Sequence, residues 1–288
     1  MLSIDPKDIS TVKLQEYLQS AIAPRPIAFA STLDVHGNPN LSPFSFFNVF
    51  SANPPILIFS PARRVRGNTT KHTLENAKVT KEVVINVVNY DIVHQMSLAS
   101  SEYPEGVNEF LKAGFTMLSS EKVNPFRVGE SPIQFECKVK EIVELGDEGG
   151  AGNLIICEVV KLHIKKEYLD EDGVIDQYKL DLVARAGGSK YSRAREGFFE
   201  IPKPLSTLGI GVDAIPSEIR KSGILTGNDL GMLANVEVIP SEADVDKFAK
   251  EHLEYIGINT VKKHTFAKAL LEKNEVLGAW KVLLMKRA

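Results

Sequence analysis

Residues 133–145, with the sequence IQFECKVKEIVEL, decide the fold class of this chain. Every second residue from 133 to 139 is apolar, and Gln134, Glu136 and Lys138 lie between the apolar ones. This period of two is typical of a strand with one buried face. Residues 154–165 form a second long apolar-rich segment, and the linker 146–153 between the two contains four glycines. The two segments therefore predict an antiparallel hairpin with long strands.

Shorter segments on both sides of this hairpin also have strand composition. They are rich in β-branched and aromatic residues and cover residues 27–32, 40–50, 56–60, 83–88 and 178–184. A turn-rich loop between the first two predicts a second hairpin. Short helices are expected at 70–79, 91–99 and 106–113, without regular alternation with the strands. We therefore predict a mainly β fold, a closed antiparallel barrel with short helices rather than a parallel doubly wound sheet.

The pattern of apolar and polar residues changes near residue 200. Pro202, Pro204 and Pro216 interrupt a stretch without periodicity. Ser241, with Asp244 three residues later, then predicts a capped helix, and a second helix is expected over 260–273. We therefore predict a barrel over residues 1–200 and an α-rich C-terminal extension over 201–288. The extension is expected to be a dimer arm, a lid or a stabilising element.

Composition excludes several classes of partner. The net charge of −3 and the pI near 6.1 give no global attraction to nucleic acid or to an anionic membrane. No stretch reaches the roughly 18 apolar residues of a membrane span, and residues 1–10 do not resemble a signal peptide. Cys137 and Cys157 lie inside apolar segments and are expected to be core thiols in a reducing, cytoplasmic setting. The six histidines show no metal-ligand spacing, so no metal is expected.

Residues 60–73, SPARRVRGNTTKHT, are called the cationic loop. The loop contains Arg63, Arg64, Arg66 and Lys71 and no acidic residue, so it carries +4 in an acidic chain. A phosphate beside a helix start gains amide hydrogen bonds and the favourable end of the helix dipole, and arginine adds bidentate bonds. An exposed, solvated loop is the alternative. We predict a phosphate site whose contacts are Ser60, Arg63 or Arg64, Lys71 and Thr73.

Residues 40–48, NLSPFSFFN, combine aromatic rings with small hydroxyls and a proline. Because proline cannot donate to a ladder, this strand is expected at a sheet edge, where its amides are free for a ligand. Apolar walls with free amides suit an isoalloxazine ring. Core packing is the alternative for individual phenylalanines such as Phe46 and Phe50.

Several separated motifs resemble the flavin reductase-like family, which includes flavoredoxin. The matching segments, in the family's order, are 23–27 (APRPI), 40–48, the cationic loop, 83–86 (VVIN) and 185–188 (RAGG) followed by Tyr191. The likeness covers roughly residues 10–200. His72 departs from the family pattern, in which an aspartate usually precedes the threonine. This departure affects the details of the phosphate contacts and not the kind of cofactor.

The resemblance implies an FMN-binding split β-barrel of Greek-key topology and a homodimer with flavin near the subunit interface. The cofactor-binding residues expected in addition to the phosphate contacts are Thr32, Asn40, Ser42, Pro43, Phe44, Ser45, Asn48 and Tyr191. No catalytic residue is expected, because a flavin itself accepts hydride and the protein need supply only position and electrostatics.

Two functions follow from this resemblance. The first is an NAD(P)H-dependent flavin reductase, with NADH or NADPH as electron donor and free flavin as a possible partner. The alternative is a non-enzymatic FMN electron carrier of the flavoredoxin type that serves a redox partner protein. A relative of pyridoxamine phosphate oxidase is a third reading, which the match over 40–48 disfavours.

Overall fold

The long alternating segment and its partner form the central hairpin of an antiparallel sheet. In this computed structural model, which describes residues 1–104, 106–201 and 208–286, the hairpin strands are Ile133–Glu144 and Asn153–Ile164. They pair from Ile133↔Ile164 to Glu144↔Asn153, with register shifts after Glu136 and Val139. Such bulges bend a strand and increase its twist. The predicted hairpin is confirmed, and its bulges favour a curved sheet.

The chain divides into two compact units, Met1–Phe199 and Glu200–Ala288. The strands are β1 Ala28–Leu33, β2 Pro39–Phe44, β3 Phe47–Ala52, β4 Pro55–Phe59, β5 Glu82–Asn86, β6 Met117–Leu118, β7 Arg127–Val128, β8 Ile133–Glu144, β9 Asn153–Ile164, β10 Val183–Arg185 and β11 Tyr191–Arg193. The α-helices are α1 Thr11–Ala21, α2 His72–Thr80, α3 Val93–Ala99, α4 Glu109–Ala113, α5 Gln177–Leu180, α6 Ser217–Arg220, α7 Gly227–Ala234, α8 Glu242–Glu251, α9 Thr260–Leu271 and α10 Val276–Leu284. Within the described residues, no helix is long and apolar enough to cross a lipid bilayer.

The connection between β2 and β3 shows how the sheet closes. Seven strands follow the order β2-β1-β5-β8-β9-β4-β3, so β2 and β3 are the two edges. Only Ser45 and Phe46 separate these edge strands in sequence. Two residues cannot span the width of a flat seven-stranded sheet, so the sheet curls until the end of β2 lies beside the start of β3, and these two edges are not hydrogen-bonded to each other. The predicted antiparallel barrel is confirmed, and it is split between β2 and β3.

Strand β1 is buried on both faces, and its side chains point alternately into two hydrophobic clusters. Phe29 packs into a cluster under α3 and α4, where its ring meets Phe115 edge to face at 5.4 Å. Ala28 and Ala30 face a second cluster, which also receives Leu74 of α2. Small residues on this face leave room for the helix, which therefore packs against the barrel with its first turn near β2.

The two cysteines lie in the second cluster. Both are buried and free, and burial raises the pKa of Cys157 to about 12. A thiol that holds its proton at neutral pH is a poor nucleophile. The prediction of core thiols is confirmed.

The second unit has a small helical core of its own. Trp280 of α10 is completely buried and donates its indole N–H to the carbonyl of Leu233 at 2.9 Å. Helix α8 begins at the predicted cap, where Ser241 and Asp244 form a reciprocal capping box. The predicted C-terminal helical extension is therefore present. Pro202 and Pro204 lie outside the described residues.

The strand predicted over residues 178–184 is wrong in its first half. Helix α5 begins there because the Asp176 carboxylate accepts hydrogen bonds from the amides of Tyr178 and Lys179. Asp181, with a φ of 50°, ends the helix, and only then does β10 start. A local side-chain cap therefore overrides the β-rich composition.

The strand predicted over residues 40–50 is two strands. The chain bends at Ser45 and Phe46 between β2 and β3, and the carbonyl of Phe46 accepts a hydrogen bond from the Ser60 amide at 2.8 Å. This bend moves the chain from one edge of the sheet to the other.

Candidate functional site

A cavity of about 530 Å³ opens at the bend between β2 and β3. Its lining comes from α1, the bend, the cationic loop and the segment after α3. The lining residues are Gln15, Gln19, Ser42, Pro43, Phe44, Ser45, Phe46, Ser60, Ala62, Arg63, Arg64, Val65, Arg66, Lys71, Ser100 and Glu102. This volume lies within the roughly 300–1,000 Å³ of small-molecule sites.

Most of the predicted cofactor contacts meet in this lining. The eight that do so are Ser42, Pro43, Phe44, Ser45, Ser60, Arg63, Arg64 and Lys71. They come from two segments that are distant in sequence, the end of β2 and the cationic loop. The strand bend therefore brings an aromatic, amide-bearing wall face to face with a cationic one.

The first wall is formed where β2 ends. Phe44 is nearly buried and packs on Phe59 with ring centroids 5.5 Å apart, whereas Phe46 is 38% exposed. In the part of the chain that the structure describes, the amides of Ser45 and Phe46 donate to no other group. Free edge amides beside aromatic rings can hold a planar ligand that has polar atoms on its rim.

The second wall is the cationic loop, and its arginines are held in place. Arg63 donates from Nε to Asn68 Oδ1 at 2.6 Å and from Nη2 to the Asn68 carbonyl at 3.0 Å. Arg64 donates from Nη1 to Thr69 Oγ1 at 2.9 Å and to the Thr70 carbonyl at 2.7 Å. These bonds fix both guanidinium groups before any ligand binds.

Lys71 completes the cationic cluster at the start of α2. It occupies the N-cap position, and no side chain caps the helix, so the first amides of α2 are free of the usual side-chain partner. Burial, and secondly the nearby Arg64, lower the pKa of Lys71 below its ordinary value. Crowded cations beside an uncapped helix start favour an anionic ligand.

The cationic loop rests on the glycine-rich linker between β8 and β9. The Asn153 amide donates to Ser60 Oγ at 3.0 Å, and the Arg63 amide donates to the Ala151 carbonyl at 2.8 Å. A Cβ on Gly152 would lie only 2.9 Å from Ser60 Oγ. The linker therefore needs glycine for this close approach. The glycine content of the linker predicts a hairpin connection, and the structure adds its contact with the cationic loop.

Three predicted contacts lie outside the cavity, in a buried network. Asn40 Nδ2 donates to Thr73 Oγ1 at 2.8 Å and lies 3.4 Å from Thr32 Oγ1. Asn76 Nδ2 also donates to Thr32 Oγ1, at 3.1 Å. All four side chains are buried. The network ties α2 to β1 and β2, so these residues position the helix start that carries Lys71.

Asn48 and Tyr191 also lie outside the cavity lining. Asn48 is exposed on β3, and its Oδ1 accepts a hydrogen bond from the Val49 amide at 2.8 Å. Tyr191 is 39% exposed on β11, where the Arg185 guanidinium lies 4.7 Å from its ring centroid. Neither residue lines the cavity, so a contact of either with the cofactor stays a prediction.

Helix α1 supplies two lining residues that sequence reasoning missed, Gln15 and Gln19. The guanidinium of Arg25 is buried and contacts the carbonyls of Gln19 and Ile22 at the end of this helix. Positive charge at a helix C-terminus is stabilising. Arg25 therefore fixes the helix that closes one side of the cavity. The Ser10 cap was the available sequence signal for α1.

The arrangement suits one compact anion attached to a planar, partly apolar ring. Four cations and a single carboxylate line the cavity, and the anion side and the ring side are formed by different walls. No three His, Cys, Asp or Glu side chains among the described residues are placed to hold a metal ion. The residues present fit an organic phosphate such as FMN.

Comparisons with known proteins relate the first unit to flavin proteins. The sequence pattern of the flavin reductase-like domain family matches residues 20–181. An uncharacterised protein of Aquifex aeolicus is 35% identical over 181 residues, which cover 63% of this chain and 90% of that relative.

Two solved structures are similar to the chain. Component B of nitrilotriacetate monooxygenase from Bacillus cereus is 29% identical with a TM-score of 0.65, over 69% of this chain and 98% of that one. A candidate flavin reductase with a split barrel domain from Shewanella frigidimarina is 25% identical with a TM-score of 0.59, over 70% of this chain and 100% of that one. On the family match, which covers more than half of its residues, the chain belongs to the flavin reductase-like domain family, with a split-barrel fold and a flavin-related function.

Proposed function

We propose that the cavity binds FMN and that the protein is an NAD(P)H-dependent flavin reductase. One observation carries the proposal: Arg63, Arg64 and Lys71 converge at an uncapped helix start, across one cavity from the free amides at Ser45 and Phe46. The cationic side fits a phosphate, and the amide and aromatic side fits an isoalloxazine. Family membership supports the pairing of these two features in one ligand.

FMN is preferred over FAD in this proposal because the cations form one compact group. Arg64 and Lys71 both contact the same Glu102 oxygen, at 2.7 and 3.6 Å, so a single terminal phosphate reaches both. A phosphate monoester is close to a dianion at pH 7 and offers three strong acceptor oxygens. The pyrophosphate of FAD carries only one negative charge on each phosphate.

When bound, FMN supplies the hydride-accepting chemistry. The residues of this chain then have three tasks. The cationic loop binds the phosphate, the amides at the bend orient the polar rim of the ring, and Phe44 and Phe46 keep water from one side of it. Because the flavin needs no protein nucleophile, the absence of a catalytic residue from this proposal is consistent with its chemistry.

We further propose a homodimer, and the exposed surface of the first unit supports it. Strand β3 is a sheet edge and leaves Val49 and Phe50 exposed by 65% and 63%. Helix α1, on the rim of the same cavity, buries none of its residues, and its Leu18 is 53% exposed. Exposed apolar edge strands tend to pair. Light scattering should report a dimer, and a monomer with FMN bound would contradict it.

The first experiment identifies the flavin. We expect the purified protein to be yellow, and chromatography of the flavin released by denaturation should give FMN. A double variant, Arg64→Ala with Lys71→Ala, serves as the matched control and should be purified largely without flavin. Recovery of FAD alone, or no flavin binding on titration of the wild-type protein, would contradict the proposed site.

The second experiment tests the reaction. The FMN-loaded protein is mixed anaerobically with NADH and, separately, with NADPH while the flavin absorbance is followed. Rapid bleaching with either nucleotide supports the reductase, and the ratio of the two rates gives the donor preference. A protein that keeps FMN and is bleached by neither nucleotide would be the electron carrier instead.

A further inference from the structure

One acidic side chain lines the cavity, and it touches the cations that the proposed function assigns to the phosphate. Glu102 Oε1 lies 2.7 Å from Arg64 Nε and 3.6 Å from Lys71 Nζ. Its side chain is 66% exposed, and it belongs to the segment between α3 and α4 rather than to a helix or strand. The carboxylate therefore reaches over the cationic loop from outside and can turn away into solvent.

The geometry makes Glu102 a competitor for the anion site. Arg64 Nη1 donates hydrogen bonds to Thr69 Oγ1 and the Thr70 carbonyl, whereas Arg64 Nε donates to Glu102 Oε1. A ligand oxygen that binds Arg64 through Nε must take the place of the carboxylate. The hydrogen bond and charge of Arg64, followed by Lys71, lower the pKa of Glu102. The carboxylate is therefore ionised at neutral pH and paired in the absence of a ligand.

We propose that Glu102 is an exchangeable counterion that competes with the FMN phosphate for Arg64 and Lys71. This inference rests on the proposed function of the same cavity. A phosphate that binds Arg64 through Nε displaces the carboxylate, and when the phosphate leaves, the carboxylate pairs with Arg64 and Lys71 again. Glu102 thereby lowers FMN affinity and promotes release. A site built in this way suits a flavin that is exchanged with solution better than one that is held permanently.

The test compares FMN and riboflavin binding to wild-type protein and to Glu102→Gln. An exposed ion pair is worth a small factor, so FMN should bind the variant about two- to fivefold more tightly. Stopped-flow dissociation of FMN should slow by a similar factor. Riboflavin, which has no phosphate, should bind both proteins equally. Glu121→Gln is the matched control, because Glu121 is an exposed acid that pairs with Lys161 and does not line this cavity, and it should leave FMN affinity unchanged.

Three results would overturn the inference. They are an unchanged FMN affinity in Glu102→Gln, a weaker one, and an increase that Glu121→Gln reproduces. A weaker affinity would mean that Glu102 orders Arg64 for the phosphate instead of competing with it. Thermal unfolding of the variants checks that they are folded. Failure of the wild-type protein to bind FMN would instead contradict the proposed function, so the two failures are distinguishable.

Discussion

The cationic loop differs from the buried network of Thr32, Asn40, Thr73 and Asn76 in the partners of its polar side chains. In the network, Asn40 donates to Thr73 and more weakly to Thr32, and these side chains are buried. In the loop, Arg64 and Lys71 share the carboxylate of Glu102, which is mostly exposed. The first set is satisfied by the fold itself, and the second by a group that a ligand can replace.

This difference separates residues that bind from residues that hold the binding site in place. A buried polar group that loses its partner destabilises the fold, because no water can substitute for the lost hydrogen bond. A partly exposed cation that loses its partner is rehydrated, so the stability of the fold changes little. The effect of a substitution in the loop appears in ligand affinity instead. Substitutions in the network should therefore be tested by measuring unfolding. Substitutions in the loop should be tested by measuring flavin affinity.

The largest effect is expected from loss of the cationic pair. A charge-assisted hydrogen bond is worth about 1.5–3 kcal/mol, and about 1.4 kcal/mol is tenfold in affinity. Arg64→Ala and Lys71→Ala should each weaken FMN binding by one to two orders of magnitude, and the double variant by more. Riboflavin affinity should hardly change. Fluorescence titration measures both, and Lys78→Ala, whose ammonium pairs with Glu144 instead, is the control.

The protonation of Lys71 gives the next effect. Its pKa is lowered, chiefly by burial, so in the ligand-free protein the ammonium loses its proton at a lower pH than an ordinary lysine. FMN affinity should consequently fall as the pH rises into the alkaline range, by about tenfold for one lost charged contact. Lys71→Arg should abolish this decline because arginine stays charged. The same alkaline profile in both proteins would assign the titration to another group.

Thr73→Val tests the buried network. The change keeps the shape but removes the nearer acceptor of the Asn40 amide, which retains only the long contact with Thr32. Loss of a buried hydrogen bond costs about 1–3 kcal/mol. Urea unfolding should show this loss, while FMN affinity of the folded protein stays near the wild-type value. Thr80→Val is the control on the same helix, since the Thr80 hydroxyl only donates back to the Asn76 carbonyl. A large loss of FMN affinity with unchanged stability would place Thr73 in the site.

The smallest effect is expected at Arg66. It is exposed on the rim of the cavity, next to Gly67, and three neighbouring arginines cannot all point at one phosphate. Arg66→Ala should keep FMN affinity within about twofold, as for most exposed charges. If Arg66→Ala lost as much affinity as Arg64→Ala, the cluster would act as a diffuse field rather than through fixed contacts.

Alternation and cap signals made much of the fold predictable. The period of two over residues 133–139 identified β8, and Ser241 with Asp244 identified the start of α8. The sequence was misleading where one side chain decided the outcome, as at Asp176, which starts α5 inside a β-rich segment. It also could not show that β2 and β3 are opposite edges of one sheet, because that depends on the pairing of distant strands.

The site was predictable as two segments but not residue by residue. Lys71 is the N-cap residue with extended backbone just before α2, and Thr73 is the second residue of the helix. Although they are only two positions apart, Lys71 lines the cavity and Thr73 belongs to the buried network. Gln15 and Gln19 belong to α1, whose signals in the sequence are the Ser10 cap and apolar residues at helical spacing from Leu14 to Ala21.

The most direct test of the central claim is a crystal structure of the protein with FMN bound. We expect the phosphate within hydrogen-bonding distance of Arg64 and Lys71, with the ring against the bend at Ser45 and Phe46. The Glu102 carboxylate should be turned away from Arg64 Nε. A phosphate bound elsewhere, or FMN bound outside this cavity, would contradict the account.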